Sequence, residues 1–309
     1  MAQKISTAFS AMLDNFKEAQ RKAFLAEQPK LILIIMASTQ DEELAAGCVQ
    51  DVKNIRKVFK KISAHSGFKY CEIEISGDNY NGESLKAVIK ALDPMEIDVT
   101  IFYYSGHGFC YADDNSRKFP QLDMRHPSDT AAYNDIGFIR KHTKNLHEIL
   151  QLIRLRGGRI NIAIGDCCSS VIHHKRSSTS RFNLEVVEDL MATKEKSLSK
   201  KNFTAENNYI DIVVSAARPG QVAVTDLKNG SIFTQNFTEA LLAAISKEHR
   251  GEKYLPWHQL LKMAAGLANK EAGEYDAGEG NPGKQMASFE IYVETVNYEL
   301  ERQQYFQRK

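Results

Sequence analysis

No apolar stretch of this 309-residue chain is long enough to cross a bilayer; the run 31–37 has only the length of a strand. The N-terminal residues interleave charged and apolar side chains, so they lack the continuous apolar segment of a secretion signal. An excess of either charge is also missing. With 40 Lys and Arg against 39 Asp and Glu, nothing global points to nucleic acid or an anionic membrane. Cysteines number five, an odd count, and two of them, Cys167 and Cys168, are adjacent. That excludes an orderly disulfide framework and fits a reducing compartment. A soluble cytoplasmic protein is therefore expected. No C-x-x-C pair or second ligand pair accompanies His173-His174, so a structural zinc site is not expected either. Internal repeats are absent, and the single tryptophan, Trp257, follows Pro256 and is expected in the core.

What is present is a substantial core, since 43% of the residues are hydrophobic. Residues 4–27 predict an amphipathic helix, with Ile5, Phe9, Met12, Leu13, Phe16 and Phe24 near one face. The run 31–37 has no polar alternation, as expected of a strand covered on both faces. A helix over 48–63 places Val49, Val52, Ile55, Val58, Phe59 and Ile62 at core spacing. Strands follow at 70–76, 98–104, 159–165, 209–217 and 287–293. Helices are expected from Asn81 or Ser84 to Leu92, and over 145–156, 233–247 and 257–271. Gly157-Gly158 closes the second of these. Residues 109–135 are read as a long polar loop, 173–208 as a basic, Ser-rich surface loop, and 272–283 as a Gly-rich turn. Strands alternating with helices predict an α/β/α sandwich around a mainly parallel six-stranded sheet.

In such sheets, sites form beyond the carboxyl ends of strands. Two apolar runs end in chemistry there. One reaches Tyr103-Tyr104-Ser105-Gly106-His107-Gly108, the other Asp166-Cys167-Cys168-Ser169-Ser170. A thiol of ordinary pKa is only a few per cent ionised at neutral pH, and a nearby imidazole can take its proton. The pattern predicts a cysteine nucleophile with His107 as general base, then acid. The glycines beside His107 allow close backbone approach. The N–H groups of Gly108 and Cys168 are candidate oxyanion-hole donors. Residue chemistry alone does not separate Cys167 from Cys168. Taken singly, a histidine in a Gly-rich turn is usually structural, and a cysteine at a strand end is usually a small core residue.

These motifs, in this order, resemble the caspase-like cysteine peptidases, most closely metacaspases and bacterial orthocaspases. Gly47-Cys48-Val49-Gln50-Asp51-Val52 is similar to the family's Gly-Cys-x-Asn-Asp-Ala segment. Residues 213–217 and 230–234 are similar to its small-subunit portion, so the resemblance spans 30–295. It implies a caspase-like fold and selects Cys168, the second residue after Asp166. The amphipathic helix read from residue spacing leaves 1–29 as an N-terminal helical extension before one catalytic domain over 30–309. That domain divides into a large-subunit-like part (30–172), the basic linker 173–208, where relatives are cut, and a small-subunit-like part (209–309). Ser169 and Val171 depart from the family's His and Gly, which predicts an altered loop after Cys168.

By the same resemblance Asp51, Asp166 and Ser105 line a small negative cavity for the side chain before the scissile bond. A carboxylate pair there suits Arg or Lys. Asp51 is read as ending the first strand–helix connection; Asp135 is too weakly aligned to join the set. The expected activity is a monomeric endopeptidase acting on polypeptides after Arg or Lys; the loop 173–208 reads equally as a site of self-processing or as a solvated linker, and a third reading is a latent enzyme, capped by the helix at 4–27, that awaits calcium, a partner or cleavage. No cofactor is required. Calcium activation rests only on Asp113-Asp114, without an EF-hand pattern. The alternative is an inactive caspase-like scaffold.

Overall fold

The computed structural model of the chain describes residues 6–112, 118–126, 136–172, 209–249, 256–274 and 285–294. In chain order the elements are α1 (Thr7–Leu25), β1 (Lys30–Ala37), α2 (Ala45–Ser66), β2 (Lys69–Ile75), α3 (Gly82–Ala91), β3 (Val99–Ser105), β4 (Gly108–Tyr111), β5 (Gln121–Asp123), α4 (Ile136–Lys141), β6 (Thr143–Asn145), α5 (Leu146–Arg154), β7 (Ile160–Asp166), β8 (Ser170–Ile172), β9 (Tyr209–Ser215), β10 (Thr225–Asp226), β11 (Gly230–Ser231), α6 (Ile232–His249), α7 (Trp257–Ala272) and β12 (Ser288–Glu294). The expected six strands form one sheet in the order β12-β9-β7-β3-β1-β2, parallel except for β12, which pairs antiparallel with β9. The basic linker 173–208 and most of the Gly-rich turn lie outside the described residues.

Strand β1 shows why the sheet must be covered twice. Every residue of Lys30–Ala37 is buried. Leu31, Leu33 and Ile35 join the core formed with α2, α6 and α7, including Trp257. Ile32, Ile34 and Met36 face the opposite core, formed with α1, α3 and α5. Alternate side chains of a strand point to opposite faces, so an unbroken apolar run needs a helical layer on each side. Local signals set the helix ends. Asn81 accepts a bond from Ser84 N–H at the start of α3, and Asn145 one from His147 N–H at the start of α5. Gly67 closes α2 in the left-handed conformation at φ +76°, which glycine adopts without strain.

The fold departs from expectation in four places. Residues 109–135 are not one polar loop: β4 and β5 lie there and join β6 and β8 in a second sheet, ordered β6-β5-β4-β8. These strands are three or four residues long, too short for a periodic pattern to register. Helix α2 begins at Ala45, so Asp51 lies within the helix rather than ending the connection before it. Val49 on α2, and Met12 and Phe24 on α1, are exposed. The inward stripe of α1 is Phe9, Phe16, Gln20 and Ala23. Gln20 ties that helix to the end of α3, donating to the Ala91 carbonyl and accepting from Asp93 N–H. Among the described residues no helix is long and apolar enough to cross a membrane.

The chain leaves β1 through α2 to reach β2 at the sheet's edge, then returns through α3 to β3 on the other side of β1. The connections after β1 and β3 therefore part company, which opens a crevice at the carboxyl ends of these strands. The opposite end is tied down by a buried ion pair. Lys30 Nζ lies 2.9 Å from Asp98 Oδ2, with both side chains fully buried. Asp98 also accepts from the backbone N–H groups of Lys30 and Met95, at 2.6 Å each. Asp98→Ala would strand the ammonium without a counter-charge. It is expected to destabilise the fold by about 3–5 kcal/mol, read as a lower urea midpoint in chemical denaturation.

Candidate active site

Strand register brings the two motifs together. Ala37 of β1 pairs with Ser105 of β3, and Ser105 pairs with Asp166 of β7. Pairing resumes beyond the main sheet, where Phe109 of β4 lies opposite Ser170 of β8 in parallel. The segments 106–108 and 167–169 are thus bounded by paired residues on both sides. His107 and Cys168 sit at their midpoints, each two residues past its strand. The two segments are packed tightly: a Cβ on Gly108 would lie 2.4 Å from Cys167 Sγ and 2.5 Å from the Cys168 carbonyl oxygen. Only glycine fits there, and its backbone is held against that of Cys168.

The five cysteines differ in exposure. Cys48, Cys71, Cys110 and Cys167 are buried, whereas Cys168 is partly exposed. Burial pushes the Cys48 thiol up to about 12 and the Cys167 thiol well above its ordinary value. Burial raises the Cys168 thiol too, against the lowering effect of Ala223 N–H, which donates to its sulfur at 3.4 Å. The resting sulfur therefore favours its proton, and a base is needed to remove it. Val171 causes no strain: it belongs to the extended strand β8 and needs no positive φ. Ser169 is fully buried and held by its backbone, its N–H donating to the Gln221 carbonyl and its own carbonyl accepting from Gly220 N–H.

His107 is held at both ends. Its carbonyl accepts from the Tyr104 hydroxyl at 2.6 Å and from Asp123 N–H at 3.0 Å. The Tyr80 hydroxyl donates to the Asp123 carbonyl at 2.6 Å and completes this brace. The imidazole is 41% exposed, and its Nε2 lies 3.0 Å from Asp41 Oδ2. Sequence reasoning missed Tyr80 and Asp41. Neither belongs to a motif, and Asp41 approaches from the connection after β1.

The three residues proposed for substrate recognition do converge, but among the described residues they are enclosed rather than lining an open cavity. Asp51 and Asp166 are only 1% and 4% exposed. Asp51 accepts from the Ser105 hydroxyl at 2.9 Å and from Ser231 N–H at 2.7 Å. Asp166 accepts from the hydroxyls of Ser231 at 2.7 Å and Thr234 at 2.5 Å. Thr234 in turn lies 2.6 Å from the Tyr103 hydroxyl. The β10–β11 hairpin closes the pair over, with Gly230 so near that a Cβ there would lie 2.3 Å from Asp51 Oδ1. Among the described residues all the partners are neutral. Burial, with Asp166 nearby, lifts the Asp51 carboxyl well above the usual range, and burial lifts Asp166 to about 6. A cavity of about 440 Å³ lies elsewhere, lined by residues such as Leu85, Ile89, Met124 and Ile149. Among the described residues no cluster of His, Cys, Asp and Glu is arranged to hold a metal ion. Asp113-Asp114, Asp135 and His173-His174 lie outside the described residues.

A family model described as the caspase domain matches residues 13–304. Among solved structures the chain is similar to caspase-1 from Spodoptera frugiperda, at 12% identity and a TM-score of 0.45, over 85% of this chain and 88% of that one. No curated protein matches it in sequence.

The acid pair has a signature in stability. Asp166 titrates at about 6 in the folded protein against an ordinary 3.8, so between these values the folded chain holds a proton that the unfolded chain has lost. Stability contributed by this group is thus present below about pH 4 and lost as pH rises through about 6. Measured against wild type, Asp166→Asn is expected to gain about 3 kcal/mol between pH 4 and pH 7 in paired denaturation curves.

Proposed function

This chain belongs to the caspase domain family of cysteine peptidases, and from that premise we propose that it cleaves polypeptides after Arg or Lys through a Cys168–His107 dyad. The observation that carries the reading is the double pairing, Ser105 with Asp166 and Phe109 with Ser170, around the segments holding His107 and the one cysteine that is not buried. In the proposed reaction His107 takes the thiol proton as the sulfur adds to the scissile carbonyl. The Gly108 and Cys168 N–H groups receive the developing oxyanion. Collapse breaks the C–N bond, and the same proton passes to the leaving amine. Water then hydrolyses the thioester, with His107 again as base.

Specificity for Arg or Lys follows from the charge of the buried pair. Two carboxylates with only neutral partners are stabilised by a cation that reaches them. Such a side chain takes over acceptor positions now filled by Ser105 and Ser231, and the short β10–β11 hairpin has to lift to admit it. True caspases, which cut after Asp, need a basic pocket instead. Self-cleavage within 173–208 belongs to the same proposal, because Arg176, Arg181, Lys194, Lys196, Lys200 and Lys201 offer matching bonds there. So do metacaspase or orthocaspase membership, a monomeric state and a cytoplasmic location.

Peptides carrying Arg or Lys before a reporter group are expected to be hydrolysed, and peptides carrying Asp are not. Cys168→Ala should abolish turnover and remove any self-cleavage seen by mass spectrometry of the intact chain. Cys167→Ala should keep turnover, because its sulfur lies under Gly108. Full activity in the Cys168→Ala protein would end the dyad assignment.

A further inference from the structure

We infer that Asp41 is the positioning residue of the site, holding His107 in the one tautomer that can accept the Cys168 proton; this rests on the dyad proposed above. The two carboxylate oxygens of Asp41 are used differently. Oδ1 accepts from the backbone N–H groups of Glu43 at 3.0 Å and Leu44 at 2.9 Å, just before α2. That is a local turn, and one oxygen suffices for it. Oδ2 instead crosses from the β1 connection to the β3 connection, 66 residues away in sequence, and meets His107 Nε2 at 3.0 Å. The carboxylate is thus fixed to the backbone before the imidazole arrives, and it lies less exposed than the imidazole, 17% against 41%.

The chemistry of the contact assigns the proton. A carboxylate offers lone pairs only, so Nε2 is the donor and carries the hydrogen in the neutral ring. Nδ1 is left with its lone pair, which is what a base needs. When the ring takes the thiol proton, the same carboxylate faces the new positive charge. The brace through Tyr104 fixes the backbone of His107, while Asp41 fixes the tip of its ring. Asp41 touches neither substrate nor sulfur in this account and acts only through the imidazole.

Two substitutions separate this role from that of a turn residue. In Asp41→Asn the amide oxygen keeps the turn, but the amide N–H₂ faces Nε2 and favours the opposite tautomer. In Asp41→Ala the turn is lost and the ring is left to solvent, with neither tautomer imposed. On an arginyl reporter peptide, kcat of Asp41→Asn is expected to fall about 100-fold with KM and melting temperature unchanged. The fall for Asp41→Ala is expected to be no larger, although its melting temperature drops. A merely structural Asp41 would reverse that order, and reversal, or wild-type kcat in Asp41→Asn, overturns the inference. Nitrogen NMR of the full chain labelled at histidine gives a readout that needs no turnover. His107 is expected as the Nε2–H form in wild type and the Nδ1–H form in Asp41→Asn; the same tautomer in both would also overturn it. The Cys168→Ala control keeps the two readings apart. If that protein still turns over, the dyad has failed. If it is inactive while Asp41→Asn matches wild type, only the role of Asp41 has failed.

Discussion

The architecture of the site depends on parallel strand register. Hydrogen-bond ladders align Ala37, Ser105 and Asp166 across β1, β3 and β7, so three chain segments leave the sheet at one level. Side chains two to four residues past that level need only short loops to meet. The reversal of chain direction around β1 keeps a helical connection from closing the space above. Asp41 and His107 touch, and the segments holding His107 and Cys168 run side by side, for this reason. The second sheet extends the same logic, because β4 and β8 start immediately after the His107 and Cys168 segments and pair again. A loop tied at both ends has little freedom left, which is the rigidity the proposed dyad requires.

Strand alternation then divides the work of neighbouring residues. Tyr103 and Tyr104 point to opposite faces of β3. Tyr103 reaches Thr234 and, through it, Asp166. Tyr104 reaches the His107 carbonyl. The polar chemistry of the site is therefore anchored in both cores at once, and the fully buried phenols are satisfied by partners rather than by water. The acid pair is the costly part of this arrangement. Two carboxylates held together with no cation against them among the described residues oppose folding at neutral pH, which the raised values of both groups express.

Much of this was legible from the residues. Long apolar strands announce themselves because both faces are buried, and β1, β3 and β7 lie where their runs predict. The caps Asn81 and Asn145 and the paired glycines after α5, both at positive φ, behave as local rules require. The motifs around His107 and Cys168 were equally visible. The strands β4, β5 and β8 were not, since three or four residues carry no period and their partners lie elsewhere in the chain. Residue chemistry alone could not choose between Cys167 and Cys168; burial now divides them, because Cys167 is roofed by Gly108. Asp41 was hidden for the same reason as the short strands: in sequence it is one of three consecutive acids, Asp41-Glu42-Glu43, in a polar connection.

The sequence by itself determined the layers, the sheet and the two reactive ends, since these follow from local periodicity, capping and the need to bury apolar runs. Only the tertiary structure decided that the acid pair is sealed beneath a hairpin, that one cysteine reaches the surface, and that Asp41 meets the imidazole. Each of these is a distance between segments remote along the chain. Such distances are set by how strands register and layers pack, which no local pattern encodes.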